Sequence, residues 1–154
     1  IMLIQKIKQD LVSHIKSGDK IKISITRLLI AALKDKEISL RKNQDFDELI
    51  NDNIVMEIIN KMIKQRKVAA QTYEEVNRID LAEKELEEVK LLSHYLPSQL
   101  SEEQLNTKIE EIIKEVDAKS LRDMSKVMKV IKENLNGKCD MQVASNLVKI
   151  KLSG

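Results

Sequence analysis

The segment LLSHYLPSQLSEEQL, residues 91–105, decides how the chain is divided. It holds the only proline of the sequence, Pro97, between two stretches with helical periodicity. Because the residue before a proline disfavours the α conformation, we expect the preceding helix to end near Tyr95. Four residues after the proline, Ser101 and Gln104 form the S-x-x-Q pattern of a capping box. The segment therefore predicts a boundary between two helical parts.

The composition agrees with an all-α protein. The 154 residues are 42% hydrophobic and 34% charged, with three glycines and one proline. So few turn-forming residues favour long helices over many short strands. Since only 2% of the residues are aromatic, we expect a core of Ile, Leu, Val and Met. We predict an N-terminal helical bundle of about four helices over residues 1–96, a hinge at 97–100 and a small C-terminal three-helix domain over 101–154.

Apolar residues recur at helical spacing, and polar residues or glycines mark the helix ends. Gly18 is placed to end the first helix, and Asp19 is placed to cap the second. A long helix is expected from about 47 to 77. The residues expected to cap the later helices are Asp45 or Asp47, Asp80, Ser120 and Asp140.

Charge and cysteine content indicate the compartment but not the partner. The net charge of +2 excludes neither nucleic acids nor proteins as partners. Cys139 is the only cysteine, so no internal disulfide can form and a reducing compartment is favoured. The N-terminal residues lack the layout of a signal peptide, and no apolar run approaches the roughly 18 residues of a membrane span. We therefore expect a cytoplasmic protein with no membrane partner.

The sequence holds no recognised motif of catalysis or metal binding. It has no Gly-rich phosphate loop, no H-E-x-x-H, no C-x-x-C and no G-x-S-x-G. His14 and His94 are eighty residues apart, and neither adjoins a cysteine. Cys139 has Lys138 beside it, which would favour a thiolate, but it has no neighbouring base. We therefore expect no catalytic residue, no metal site and no cofactor.

Arg66 lies on the apolar stripe of the long helix, between Met62 and Tyr73. An arginine at such a position is expected to be mostly buried and to need an acidic partner. We interpret Arg66 as a structural ion pair rather than a ligand-binding residue, with its partner between residues 83 and 88. Apart from such a partner, the acidic run over residues 83–88 is typical of a solvated helix face.

The strongest charge pattern lies near the C terminus. Residues 119–154 hold eight basic and three acidic residues, whereas residues 101–118 hold two basic and six acidic ones. Spacing of i, i+4 and i+7 places three of the basic residues on one helix face, next to a turn with a further lysine, and such a face can neutralise several phosphates. The alternative is an ordinary solvated face, since no aromatic residue lies nearby for base stacking. The predicted nucleic-acid-binding residues are Arg122, Lys126, Lys129, Lys132 and Lys138.

Four blocks of sequence, in the same order, carry a family resemblance. They are TRLLIAALKDKEI (26–38), KQRKVAAQTYEEVNRIDLAEKE (64–85), YLPSQLS (95–101), and the C-terminal pair MSKVMK (124–129) and NGKCDMQVASNLVKIKL (136–152). The chain resembles the YqeY proteins, which are relatives of the tail domain of the B subunit of the tRNA-dependent amidotransferase (the GatB/YqeY domain). Two family glycines are replaced here, by Ser125 and Met141, which predicts weaker or displaced backbone contact with RNA.

The resemblance implies a fold and a function. The implied fold is an N-terminal bundle joined at the YLP segment to a small three-helix domain. In the amidotransferase the tail domain helps to hold tRNA, and a similar domain serves some glutaminyl-tRNA synthetases as a tRNA handle. We therefore expect a non-catalytic module that binds tRNA or a similar structured RNA. The alternatives are a protein-interaction adaptor for an aminoacylation or amidotransferase complex, and a carbon–nitrogen ligase with glutamine as amido donor.

Overall fold

The structure, a computed structural model, describes residues 2–41 and 50–154. Within these residues the regular elements are seven α-helices and one 3₁₀ turn, and no β-strand is present, which confirms the all-α prediction. The chain divides into two compact units, residues 1–96 and 97–154. The unit boundary falls immediately before Pro97.

Each unit is a small set of helices. The first unit contains α1 (Leu3–Ser17), α2 (Lys20–Leu40), α3 (Asp52–Glu75) and α4 (Ile79–Ser93). The second unit contains α5 (Glu102–Glu115), a 3₁₀ turn (Leu121–Asp123), α6 (Met124–Leu135) and α7 (Met141–Ser153).

Most helix ends follow the local signals in the sequence. Gly18 has φ of 75° and donates its N–H to the carbonyl of His14 at 2.9 Å, which ends α1. Asp19 then caps α2 by accepting from the N–H of Lys22 at 3.1 Å. At the start of α5 the capping box is complete, since Ser101 and Gln104 each accept from the backbone N–H of the other, at 3.1 and 2.9 Å.

Asp140 also caps a helix as predicted, accepting from the N–H of Gln142 at the start of α7. Ser120 precedes a 3₁₀ turn instead of the helix itself, and α6 begins only at Met124. The carboxylate of Asp123 accepts from the N–H groups of Lys119 and Ser120 and so holds this turn closed.

One predicted cap is wrong, and another prediction lies outside the described residues. Asp80 is in the first turn of α4, where its carboxylate pairs with Arg78 at 3.2 Å instead of accepting from a backbone N–H two or three residues on. Asp45 and Asp47 fall outside the described residues. The helix α3 begins at Asp52, later than the expected residue 47, and Asn51 caps it by accepting from the N–H of Ile54 at 3.0 Å.

The two units have separate hydrophobic cores of aliphatic residues. Burial of one such side chain contributes roughly 1.5–3 kcal/mol, so these cores are the main source of stability. The fully buried residues of the first core are Ile7, Leu29, Leu33, Ile50, Val55, Ile59 and Leu92. Those of the second are Ile109, Val127, Ile131, Ala144 and Val148.

Candidate nucleic-acid interface

The helix α6 carries the candidate interface because one of its sides is fixed in the core of the second unit. Val127, Ile131 and Leu135 are buried at i, i+4 and i+8 and pack with residues of α5 and α7. With 3.6 residues per turn, positions 126 and 129 fall on the side of α6 opposite this stripe. The packing of the apolar stripe therefore determines which way the lysines point.

We define the basic face as Arg122, Lys126 and Lys129. All three residues are exposed. In the part of the chain that the structure describes, none has a carboxylate within ion-pair distance. The exposed Glu133 follows Lys129 by one helical turn and limits the positive charge at that end. Lys126 and Lys129 share the solvent-exposed side of α6, but Arg122 lies in the 3₁₀ turn that precedes α6, so the prediction that all three share one helix face is wrong for Arg122.

The other two predicted residues flank the basic face. Lys132 is exposed but lies one residue after the buried Ile131, so it is about 100° from the core direction and at the side of α6. Lys138 is exposed in the turn after α6. We refer to Lys132 and Lys138 as the flanking cations.

The turn that carries Lys138 is held in place by residues just after Pro97. Gly137 has φ of 75°, a left-handed conformation that suits glycine. Its carbonyl accepts from the side-chain amide of Gln99 at 2.6 Å. The carbonyl of Lys138 accepts from the N–H of Leu100 at 2.9 Å. Residues 99 and 100, predicted as hinge, are thus bonded to the turn after α6, and no local pattern in the sequence predicts these bonds.

Asp123 is the acidic residue nearest the start of the basic face. Hydrogen bonds from the N–H groups of Lys119 and Ser120 lower the pKa of Asp123, and the positive charges of Lys126 and Arg122 lower it further. The carboxylate therefore stays ionised and accepts hydrogen bonds from the backbone at the start of the 3₁₀ turn. It offsets part of the positive charge of the face.

Cys139, next to the flanking Lys138, is buried with 6% of its surface exposed. Its thiol lies 3.9 Å from the carbonyl oxygen of Leu135. Burial raises the pKa of the Cys139 thiol, and the negative charge of Asp140 raises it further. The neighbouring lysine therefore does not activate this thiol, and Cys139 packs as a small apolar residue.

Arg66 belongs to the first unit, whereas the nucleic-acid-binding residues that the sequence predicts belong to the second. Its side chain is 14% exposed, and its Nε donates to Oε2 of Glu88 at 2.8 Å. Glu88 falls within the range 83–88 from which the sequence predicts a partner. The pair joins α3 to α4.

The two histidines, which the sequence does not relate to each other, line one pocket of the first unit. Since they are eighty residues apart, no local spacing could reveal this. Within residues 2–41 and 50–154 no group of three or more His, Cys, Asp or Glu side chains has an arrangement suited to a metal ion. No helix in the same residues is long and apolar enough to cross a membrane.

Similar proteins of three yeasts share sequence with this chain, and each bears the name Altered inheritance of mitochondria protein 41, mitochondrial. The protein of Vanderwaltozyma polyspora is 34% identical over 73% of this chain and 60% of its own length. That of Kluyveromyces lactis is 33% identical over 60% of this chain and 47% of its own length. That of Lachancea thermotolerans is 28% identical over 73% of this chain and 59% of its own length. The chain spans about half to three-fifths of these relatives.

The relatives correct one expectation from the sequence. Their names state a mitochondrial location, which contradicts the cytoplasmic location expected here. A single cysteine indicates only a reducing environment, so it does not distinguish one reducing compartment from another.

The resemblance expected from the sequence blocks is confirmed by a comparison over nearly the whole chain. The sequence model of the family described as Yqey-like protein matches residues 4–152. This range includes both units and all four blocks. The chain therefore belongs to the YqeY family.

Proposed function

We propose that this chain is a non-catalytic module that binds structured RNA, with tRNA as the expected ligand, through the basic face and its flanking cations. The observation that supports this most is that Lys126 and Lys129 on the exposed side of α6, and Arg122 in the turn before it, have no ion-pair partner among the described residues. Lysines and arginines free of protein carboxylates can replace the counterions of phosphates, and release of those counterions favours binding.

The kind of RNA follows from what the second unit lacks. The aromatic residues of the chain are Phe46, Tyr73 and Tyr95, and all precede Pro97. Without aromatic side chains the second unit lacks the usual platform on which bases of a single strand stack. Phosphate contacts along the 12-residue helix α6, about 18 Å long at 1.5 Å per residue, suit the regular backbone of a double-helical RNA.

The family supports tRNA in particular. The resemblance to the amidotransferase tail domain implies a role in holding tRNA while chemistry takes place elsewhere. The mitochondrial location in the names of the yeast relatives, carried over to this chain, makes mitochondrial tRNA the first RNA to test.

The test is tRNA affinity measured across a salt series. Three phosphate contacts predict a slope of log K against log salt of about −2 to −3, and each single Lys→Ala change should make the slope shallower by about 1. The triple variant Lys126→Ala, Lys129→Ala, Lys138→Ala should bind far more weakly while staying helical. A matched control, Lys84→Ala, Lys108→Ala, Lys114→Ala, removes the same charge from exposed helical positions outside the basic face and should retain most of the affinity.

Two results would contradict RNA binding by the basic face. One is a triple variant that binds as tightly as the parent chain. The other is equal loss of affinity in the control, which would indicate dependence on net charge alone. Absence of any tRNA binding at low salt would refute the RNA proposal altogether.

A protein-interaction adaptor is the second candidate, and one observation favours it. Several large apolar side chains of the first unit are solvent-exposed, with Val68 at 60% and Val76 at 64%. Exposed apolar surface can serve a protein partner. Recovery of aminoacylation or amidotransferase subunits with the parent chain, lost in a Val68→Ser, Val76→Ser variant, would support the adaptor. For the carbon–nitrogen ligase, an assay with glutamine and misacylated tRNA is expected to form no product with the isolated chain.

A further inference from the structure

A pocket of about 470 Å³ lies within the first unit. Residues of α1, α2 and α4 line it, together with His94 and Tyr95 just after α4. Its volume is within the range of small-molecule sites, about 300–1,000 Å³. The pocket belongs entirely to the first unit, so its role is independent of the basic face.

The deepest part of the pocket is apolar and well packed. Ile25, Leu29 and Leu92 line it and are 2%, 0% and 1% exposed. Their side chains belong to the first core and cannot move without disturbing it. Since these three residues have almost no accessible surface, the apolar contacts open to a ligand come from Leu91 and Tyr95, which also line the pocket and are partly exposed.

The carboxylate of Asp10, on one wall of the pocket, is fully engaged by neighbours. Its Oδ1 accepts from Nζ of Lys6 at 2.8 Å, and its Oδ2 accepts from the hydroxyl of Tyr95. Burial alone would raise the pKa of Asp10, but the hydrogen bonds from Lys6 and Tyr95 outweigh it and lower the pKa. Asp10 therefore stays ionised and satisfied, and it is not free to bind a cationic ligand.

The remaining charged groups of the pocket are mainly positive. Lys22 and Lys90 line it, against the single further carboxylate of Glu87. Lys90 has no carboxylate within ion-pair distance among the described residues, and Lys22 has only Asp19 at 4.0 Å. His14 adds an imidazole that can donate a hydrogen bond. Two weakly paired ammonium groups in one pocket with partly exposed apolar side chains suit a ligand with one anionic and one apolar end.

We propose that this pocket binds a small organic anion, whose carboxylate or phosphate contacts Lys22 and Lys90 and whose apolar part lies on Leu91 and the ring of Tyr95. The ion pair of Lys6 with Asp10 forms the wall and does not contact the anion. His14 and His94 also line the site.

The histidines make the proposal easy to test. They are the only two in the chain, and both line the pocket, so their imidazole NMR signals report on this site alone. We expect phenyl phosphate, titrated at constant pH, to shift both signals in a saturable way. Phenylacetate, in a second arm, tells whether a carboxylate serves as well as a phosphate. Inorganic phosphate should bind more weakly because it lacks the apolar part, and benzylamine should not bind because its charge is positive.

Substitutions then assign the anion contacts. Lys22→Gln and Lys90→Gln should each weaken phenyl phosphate binding about tenfold, the loss of one charge-assisted contact. Lys84→Gln is the matched control, since Lys84 is exposed on the same helix as Lys90 but does not line the pocket. Lys22→Gln could impair folding, which circular dichroism would show. In that case Lys90→Gln alone tests the anion contact, because Lys90 is exposed and its substitution should not disturb the fold.

Three outcomes would overturn the proposal. They are failure of the histidine signals to saturate with either phenyl phosphate or phenylacetate, equal binding of benzylamine, and equal weakening by Lys84→Gln and Lys90→Gln. Backbone amide shifts provide a further check, because shifts as large on the basic face as around the pocket would mean unspecific anion binding and would also overturn it.

Discussion

Arg66 of α3 and Glu88 of α4 form an ion pair at 2.8 Å that joins two helices of the first unit through residues 22 positions apart. The guanidinium also donates from Nη1 to the carbonyl of Met62 at 3.2 Å. Both side chains are largely buried, at 14% and 11% exposure, so neither charge is well solvated. In such a setting each charge depends on the other.

Removal of Arg66 alone is therefore expected to be costly. Arg66→Met should lower the free energy of unfolding of the first unit by about 3 kcal/mol, the low end for a buried pair, because Glu88 is left unpaired. The double variant Arg66→Met, Glu88→Leu should recover most of this loss. Tyrosine fluorescence in a urea titration can measure this loss, since both tyrosines of the chain lie in the first unit.

The exposed neighbour Lys67 provides the control, and Lys67→Met should change stability by less than about 0.5 kcal/mol. A loss for Arg66→Met no larger than that control would contradict a structural role for the pair.

The hydrogen bond from Tyr95 to Asp10 should stabilise the first unit over a defined pH range. Tyr95→Phe is expected to cost about 1.5 kcal/mol, the low end for a bond to a charged group, because Asp10 keeps its bond from Lys6. The pKa of Asp10 is lowered below its ordinary 3.8, so its contribution is lost as the pH falls through the folded value. Burial and the bond to Asp10 raise the pKa of Tyr95 above its ordinary 10.0, so its contribution is lost as the pH rises through the folded value.

The difference between Tyr95→Phe and the parent chain should therefore be constant near neutral pH and shrink at both extremes. Urea titrations followed by circular dichroism at a series of pH values measure it. Tyr73→Phe is the control, since the Tyr73 hydroxyl has no side-chain hydrogen bond recorded in the described residues. A Tyr95→Phe effect that is absent at neutral pH would show that the bond contributes nothing.

The capping box at Ser101 should stabilise the second unit. Ser101→Ala removes the acceptor for the N–H of Gln104 and should cost about 1 kcal/mol. The tyrosine signal should be unchanged because it reports the first unit, so hydrogen exchange of amides in α5 is the appropriate measurement. Ser125→Ala, at an exposed position within α6, should be neutral or slightly stabilising since alanine favours helix. Equal protection of α5 in the parent and the Ser101→Ala variant would contradict the cap's contribution.

Cys139 should be unreactive in the folded protein. Burial limits access of a reagent and also raises the pKa of the thiol, so little thiolate is present near neutral pH. Alkylation by iodoacetamide is expected to be at least about tenfold slower than in the urea-denatured chain. A folded-state rate that matches the denatured one would mean that Cys139 is accessible and that its thiol pKa is not raised.

The parts of the fold that depend on neighbours in sequence were predictable. Gly18, Asp19, Ser101 and Asp140 each end or begin a helix as expected, because a cap needs partners only two to four residues away. The unit boundary at Pro97 was predictable for the same reason, since a proline affects the conformation of the residue directly before it. Asp80 and Ser120 are the exceptions. The helix α4 already begins at Ile79, and the carboxylate of Asp80 pairs with Arg78, whereas Ser120 precedes a 3₁₀ turn.

The exposure of the basic residues was also predictable, because helical periodicity with an apolar stripe determines which side of α6 faces solvent. What periodicity does not determine is how residues on different helices meet. The choice of Glu88 over the other acids as the partner of Arg66 depends on the register between α3 and α4.

By itself, then, the sequence determined the helices, most of their ends, the division at Pro97 and the outward side of α6. Only the tertiary structure decided that His14 and His94 line one pocket, that Tyr95 donates to Asp10 across 85 positions, and that Gln99 secures the Gly137 turn. The physical reason is the distance along the sequence over which each kind of interaction acts. Caps and periodicity act within one or two turns of a helix, whereas these contacts require the packing of cores to bring distant segments together.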